Sequence, residues 1–179
     1  TAIVELAEAA GLRYAEGRAN PMFTTTYGVG QMIRTAAGLG VRRILLCLGG
    51  SATNDLGLGA AAALGVRFFD ANGEEMLPLG GTLDEVAAVD LSLVPDNIRA
   101  LEFVCLCDVT GTLTGTDGAA QMFAPQKGAS PEMVAVLEAG AAHMQEVFLR
   151  DLGVDVISLA GGAAAGGFAA GFAALFGAE

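Results

Sequence analysis

Short apolar runs alternate along this chain with longer stretches in which apolar residues recur at helical spacing. The chain opens at Thr1 to Ala7 on an apolar, β-branched run broken by Glu5, which reads as a strand or as a strand leading into a helical turn that Gly11 ends. Ile44 to Leu48, Val66 to Phe69 and Leu101 to Cys107 read as strands, and Val86 to Leu93 and Val154 to Leu159 as candidates for two more. Met32, Ile33, Ala36, Ala37 and Leu39 give an apolar side to a helix entered at Thr24 to Gly28, where a threonine cap is expected, and stopped by Gly38-Leu39-Gly40. A second helix, about Leu56 to Leu64, is built of small residues suited to close packing on a sheet. Asp70-Ala71-Asn72-Gly73 is a turn, with Glu74 to Pro78 as the return strand of a hairpin. Ser130 as N-cap and Pro131 at the first helical position start a long helix. Its stripe is Met133, Leu137, Ala141, Met144 and Phe148, and Gly153 closes it. Gly161 to Gly167 opens a last helix striped by Phe168, Phe172, Leu175 and Phe176 and ended at Gly177. Strands interleaved with helices place the chain in the α/β class, as a mixed sheet with flanking helices.

Composition narrows this picture. The chain is 179 residues, 53% hydrophobic and 16% charged, which suits one packed domain and argues against disorder. A net charge of -11 argues against nucleic acid and against an anionic membrane surface as partners. A small anionic ligand would need local help from backbone N–H groups, a lone cation or a metal ion. Cys47, Cys105 and Cys107 lie in apolar runs and read as reduced core residues of a cytoplasmic protein. With His143 as the sole histidine, no zinc spacing exists, and His143 itself reads as structural. Val156 to Ala178 is uncharged and long enough to span a bilayer, but Gly161-Gly162 breaks it and Ala and Gly dominate it, so a buried helix is expected. Thr1 falls mid-pattern, and the expectation is a segment cut from a longer chain.

Candidate chemistry gathers at the ends of two strands. Leu45-Leu46-Cys47-Leu48 runs into Gly49-Gly50-Ser51-Ala52-Thr53-Asn54-Asp55 ahead of a helix. In α/β proteins ligands bind at such strand ends, and helix-start N–H groups suit an anion. A plain N-cap at Asn54 or Asp55 accounts for one of these polar residues, not for four behind a Gly-Gly pair. The same logic recurs where the run ending at Cys107 meets Asp108-Val109-Thr110, although Asp108 also fits a turn aspartate. Lys127, the only lysine, stands between Gln126 and Gly128 as either an anion contact or a solvated surface charge. The first turn after Gly161 and Gly162 offers free N–H groups. No P-loop, Rossmann fingerprint, His-Glu-x-x-His or Gly-x-Ser-x-Gly is present. What remains are the parts that phosphoryl transfer uses.

These segments resemble one known family. Gly49 to Asp55 followed by Asp70 to Gly73 is similar to the glycerate kinases of the bacterial glycerate 2-kinase type. Thr25 to Gly30, Cys107 to Thr110, Phe123 to Ala129 and Gly161 to Gly167 follow in the family's order, so the resemblance covers essentially the whole chain. It implies ATP-dependent phosphorylation of glycerate with Mg²⁺, and a two-domain α/β kinase. One domain would be flavodoxin-like and built from both chain ends, and this chain would be the domain inserted between them. The family's N-terminal Asp-bearing strand end, its Gly-Gly-Glu-Gly segment and its later Gly-Glu-Gly segment are missing, so the expected cleft is incomplete and the fragment inactive alone. Implied roles follow. Gly49, Gly50, Ser51, Thr53, Asn54, Thr110, Gly161 and Gly162 hold substrate or phosphate, and Lys127 contacts phosphate or the glycerate carboxylate. Asp55 or Asp108 binds Mg²⁺ or takes the hydroxyl proton. Two departures are evident: Leu56 where the family carries Gly, and Gly111-Thr112 where it carries Asn-Pro, which removes an amide and a rigid ring beside Asp108. A non-catalytic anion-binding or assembly module sharing the fold is the alternative, and a homo-oligomer stays open.

Overall fold

The structure, a computed structural model, describes residues 1–15 and 17–179. In its first part, β1 (Ala2–Glu5), a one-turn α1 (Ala7–Ala10), α2 (Tyr27–Gly38) and β2 (Arg43–Cys47) make a strand–helix–strand unit. Next come α3 (Leu58–Ala63), β3 (Arg67–Phe69), β4 (Glu75–Met76), β5 (Ala88–Asp90), the short α4 (Asp96–Arg99) and β6 (Glu102–Leu106). The last part is helical: α5 (Ala119–Phe123), a 3-10 turn at Pro125–Lys127, α6 (Pro131–Leu152) and α7 (Ala164–Phe176). The α/β class holds, with parallel and antiparallel pairings sorted into two sheets of three strands each.

The first sheet is parallel in the order β1-β2-β6, with Leu45 opposite Ile3 on one side and Val104 on the other. Parallel neighbours need crossovers, which α2 supplies between β1 and β2 and the whole stretch from α3 to α4 supplies between β2 and β6. All three strands therefore present their carboxyl ends on the same side. Arg43 and Glu102 sit opposite each other at the other end and form an exposed pair at 2.5 Å. The second sheet is antiparallel, in the order β4-β3-β5. Its hairpin is shaped by Asp70, whose Oδ1 accepts from the N–H of Asn72 at 2.8 Å and of Glu74 at 2.9 Å.

One apolar core serves both sheets. It joins Ile44, Leu46 and Phe103 of the parallel sheet to Phe68 of the antiparallel one, to Phe148 of α6 and to Phe168 and Phe172 of α7. Phe172 stacks on Phe168 at 4.2 Å and meets Phe103 edge-on at 5.5 Å. Glycine at 171 lets α7 approach closely, because a Cβ there would stand 1.8 Å from the Leu56 carbonyl oxygen. At the start of α6, the Ser130 hydroxyl accepts from Met133 N–H at 3.3 Å with Pro131 behind it, and Gly153 closes the helix at φ 71°.

Four expectations change. Val154–Leu159 forms no strand: its backbone is satisfied locally, with Val156 N–H bonded to Gln145 Oε1 and Ile157 N–H to Asp155. Gln145 also donates to Asp155 at 2.8 Å, so α6 itself fixes this connector. The cysteines are not core residues: Cys47 and Cys105 are half-buried, and Cys107 is exposed because β6 ends at Leu106 and leaves it beyond the ladder. The helix expected from Leu56 starts at Leu58, since Leu56 and Gly57 both adopt positive φ. Thr26 stands at the N-cap of α2 without capping it, because its hydroxyl is used between helices. Among the described residues no helix is long and apolar enough to cross a membrane. His143 is structural, with Nε2 2.7 Å from the Val86 carbonyl oxygen.

Candidate active site

At the carboxyl ends of β2 and β6 lies an open cleft of about 500 Å³. Leu48, Gly49, Gly50 and Ser51 form one wall, and Leu106, Cys107, Asp108 and Val109 form the next. Phe123, Gln126 and Lys127 close a third side, with Ala164 and Ala165 at the start of α7 and Leu12 completing the lining. A neighbouring pocket of about 400 Å³ shares Asp108, Val109 and Phe123 and adds Thr110, Gly111, Thr112 and Asp117.

The chain folds this way locally for identifiable reasons. Gly50 takes φ 72°, which turns the chain sharply out of β2. The loop is then tied back to the N-terminal segment by Leu12 N–H to Gly50 O at 2.9 Å and Ala52 N–H to Ala10 O at 2.8 Å. Those two bonds bring Leu12 to the cleft. At the start of α7, Ala165, Gly166 and Gly167 all have positive φ. A Cβ at 166 would lie 2.1 Å from the Thr53 carbonyl oxygen, so a glycine there lets α7 abut the loop.

Two buried charged groups organise this loop. Asp55 is fully buried and is absent from the cleft lining. Its Oδ2 accepts from Thr26 N–H at 2.7 Å, Thr26 Oγ1 at 2.8 Å and Gly59 N–H at 3.3 Å, and its Oδ1 from Gly57 N–H at 3.2 Å. Burial pushes the carboxyl up, against the downward pull of those hydrogen bonds. Thr26 Oγ1 in turn accepts from Ala60 N–H at 2.9 Å. Asp55 and Thr26 thus bolt the starts of α2 and α3 together.

Lys127 is the other group. It is 2% exposed, yet it lines the cleft. Its Nζ donates to the Thr53 carbonyl at 2.6 Å and to Asn54 Oδ1 at 3.3 Å. Burial lowers its pKa to about 7, opposed only by the negative charge of Asp55.

Of the residues singled out from sequence, Gly49, Gly50, Ser51, Asp108 and Lys127 meet in the larger cleft, and Thr110 lines the adjoining pocket. Thr53 and Asn54 are buried and reach the cleft only through Lys127. Thr53 Oγ1 is buried and has no hydrogen-bond partner among the described residues. Gly161 and Gly162 are buried behind the lining, where a Cβ at 161 would meet Cys107 Sγ at 3.1 Å. Sequence reasoning missed Leu12, Phe123, Gln126, Ala164 and Ala165 as cleft residues. Phe123 and Gln126 stood in a segment already marked by its resemblance. Leu12 and the alanines carry no chemical signal and arrive by backbone geometry alone. Among the described residues no three His, Cys, Asp or Glu side chains cluster as a metal cage.

Comparison with known proteins bears on the family of the chain. The model of the glycerate kinase family matches residues 1–179. The chain is 41% identical to a glycerate 2-kinase of Escherichia coli over 100% of this chain and 47% of that protein. It is also 41% identical to a glycerate kinase of Halalkalibacterium halodurans over 93% of this chain and 44% of that protein. A solved structure described as a putative glycerate kinase 2 from Salmonella typhimurium superposes with a TM-score of 0.95 at 42% identity, covering 99% of this chain and 48% of that one. The chain therefore spans about half the length of the curated relatives it matches. With the match running through every element that builds the cleft, the chain belongs to the glycerate kinase family.

Proposed function

We propose that the protein carrying this chain is a cytoplasmic kinase that transfers the terminal phosphoryl group of ATP to glycerate, using Mg²⁺. The observation that supports this most directly is the cleft itself: a glycine-turned strand end, an exposed carboxylate and a buried lysine face one space in a member of this family. A second, flavodoxin-like domain contributed by chain outside these residues completes the site, consistent with relatives about twice as long.

Mg²⁺ in phosphoryl transfer is held largely by phosphates and water with one or two protein carboxylates. A cleft with Asp108 on its wall and the Thr110 hydroxyl nearby fits that donor set. The ion supplies charge neutralisation on the phosphates when bound. The chain's own groups do the rest. Gly49 and Gly50 let substrate approach the backbone, and Ser51 lines the same wall. Leu12, Leu48, Leu106 and Phe123 give the cleft an apolar side. Lys127, braced by Thr53 and Asn54, stands where a phosphate or carboxylate oxygen arrives. Of the two candidate carboxylates we assign the metal to Asp108 and a positioning role to Asp55.

The test pairs two substitutions in the full-length protein under a coupled ATP–glycerate assay. Asp108→Asn lowers kcat by about 100-fold or more and leaves the melting temperature in place. Asp55→Asn turns an amide toward N–H and O–H donors and lowers stability by roughly 2–4 kcal/mol. Full activity in Asp108→Asn would remove it from the site.

A further inference from the structure

We propose that Lys127 is the base of this cleft, its neutral amine taking the proton from the substrate hydroxyl that is phosphorylated. The inference rests on the kinase reading and replaces one role in it, because a neutral amine with both N–H bonds engaged accepts a proton and does not hold an anion.

The geometry of the cradle carries the argument. Among the described residues, Nζ has two acceptors, Thr53 O at 2.6 Å and Asn54 Oδ1 at 3.3 Å. A neutral amine has two N–H bonds and one lone pair, whereas an ammonium has three N–H bonds. Two acceptors saturate the amine and leave its lone pair as the remaining tetrahedral position, on a residue that lines the cleft. No carboxylate forms an ion pair with Nζ among the described residues. Asp55 is fully buried, with its oxygens occupied by Thr26, Gly57 and Gly59. Asp108 and Cys107 stand on the β6 wall and Asp117 in the adjoining pocket, and none accepts from Nζ. The start of α7 presents only Ala164 and Ala165. Burial disfavours the charged form, and a lysine desolvated in this way works as a base near neutral pH. Neither carboxylate competes well: Asp55 is sealed in, and Asp108 is solvated and assigned to the metal.

The step balances. The hydroxyl O–H breaks and its proton joins Nζ, giving the ammonium. The oxygen bonds to the terminal phosphorus of the nucleoside triphosphate, and the bond from that phosphorus to the bridging oxygen breaks. The diphosphate leaves with the electron pair. The ammonium then returns its proton to water.

The sign of the pH dependence decides the matter. The full-length protein is prepared with lysine labelled at the ε-carbon, and the NMR signal lost in Lys127→Met identifies this residue. A base gives a kcat/KM for glycerate that falls about tenfold per pH unit below the Lys127 midpoint, expected at about 7. Lys127→Arg keeps the charge but cannot accept a proton, so kcat falls by about 10²–10⁴-fold while KM moves less. A lysine that merely holds an anion gives the opposite: kcat/KM falls as pH rises through the midpoint, and the arginine variant keeps most of its activity. Either result overturns the proposal. The profile and the NMR titration use the unsubstituted protein, so a variant that misfolds does not affect them. Absence of any ATP-dependent phosphorylation of glycerate in the unsubstituted protein overturns the kinase reading together with the base. An active enzyme with the reversed limb overturns the base alone.

Discussion

Leu56 takes φ 53° while only 1% exposed, so a buried leucine occupies a backbone shape that glycine adopts freely. The shape is imposed from outside: Leu56 N–H bonds Gly166 O at 3.3 Å, and its carbonyl is pressed against Gly171 of α7. Its side chain packs beside Gly167, where a Cβ would stand 2.8 Å from Leu56 Cγ. The strain costs roughly 1–2 kcal/mol, against roughly 2–5 kcal/mol for emptying a buried leucine site. Burial wins, so Leu56→Gly is expected to destabilise by roughly 1–3 kcal/mol, read from urea midpoints at constant slope. Lys127 allows a second prediction at this scale. Its pKa is about 7 when folded and about 10.4 in an unfolded chain, so between those values the unfolded state binds the extra proton. Stability therefore rises with pH through that window, by up to about 1.4 kcal/mol per pH unit, and the gain is absent below it. The stability of the unsubstituted chain minus that of Lys127→Met should climb from about pH 7 to about pH 10. A flat difference would mean that the lysine is solvated. Asp55 and Lys127 were both flagged from sequence as loop residues, but the four donors around the first and the two acceptors around the second come from partners that no local pattern names.

Among the elements, α6 follows most directly from its own sequence. Ser130, Pro131 and Gly153 set its ends, and of the expected stripe Ala141, Met144 and Phe148 face the main core, Leu137 packs in a smaller cluster with Ala120, Ala124 and Val134, and Met133 is half-buried. Ser130→Ala removes the acceptor for Met133 N–H and should lower stability by about 1 kcal/mol, with activity unchanged. A larger loss would show that the helix start also supports the neighbouring 3-10 turn that carries Lys127. The connector after α6 teaches the reverse. Val154 to Leu159 has a strand-like composition, but Gln145 and Asp155 supply the hydrogen bonds that a ladder would have provided. The last helix was foreseen with its phenylalanine stripe, whereas three successive left-handed residues at its start were not. They exist because α7 must abut both the Thr53 carbonyl and Leu56, which is a requirement of packing.

At the scale of the molecule, two sheets share one core, with Phe103 and Phe68 in the same apolar cluster. The chain should therefore unfold in one cooperative step, with far-UV circular dichroism and the fluorescence of Tyr14 and Tyr27 giving coincident urea curves. Separate transitions would show that the antiparallel sheet folds as its own unit. The sequence by itself determined where most strands and helices run, with Val154 to Leu159 the exception, that the class is α/β, and which two strand ends carry polar chemistry. Period, caps and turn residues are local, and they act within a few positions of one another. Family membership was legible for the same reason, because it resides in short ordered segments. Tertiary structure alone decided which flagged residues face the cleft. It put Asp108 on the wall and Asp55 inside, and it buried the only lysine against a carbonyl 74 positions away. Burial and hydrogen-bond partnership belong to pairs of distant residues, and those pairs exist only once the parallel strands have brought their carboxyl ends together.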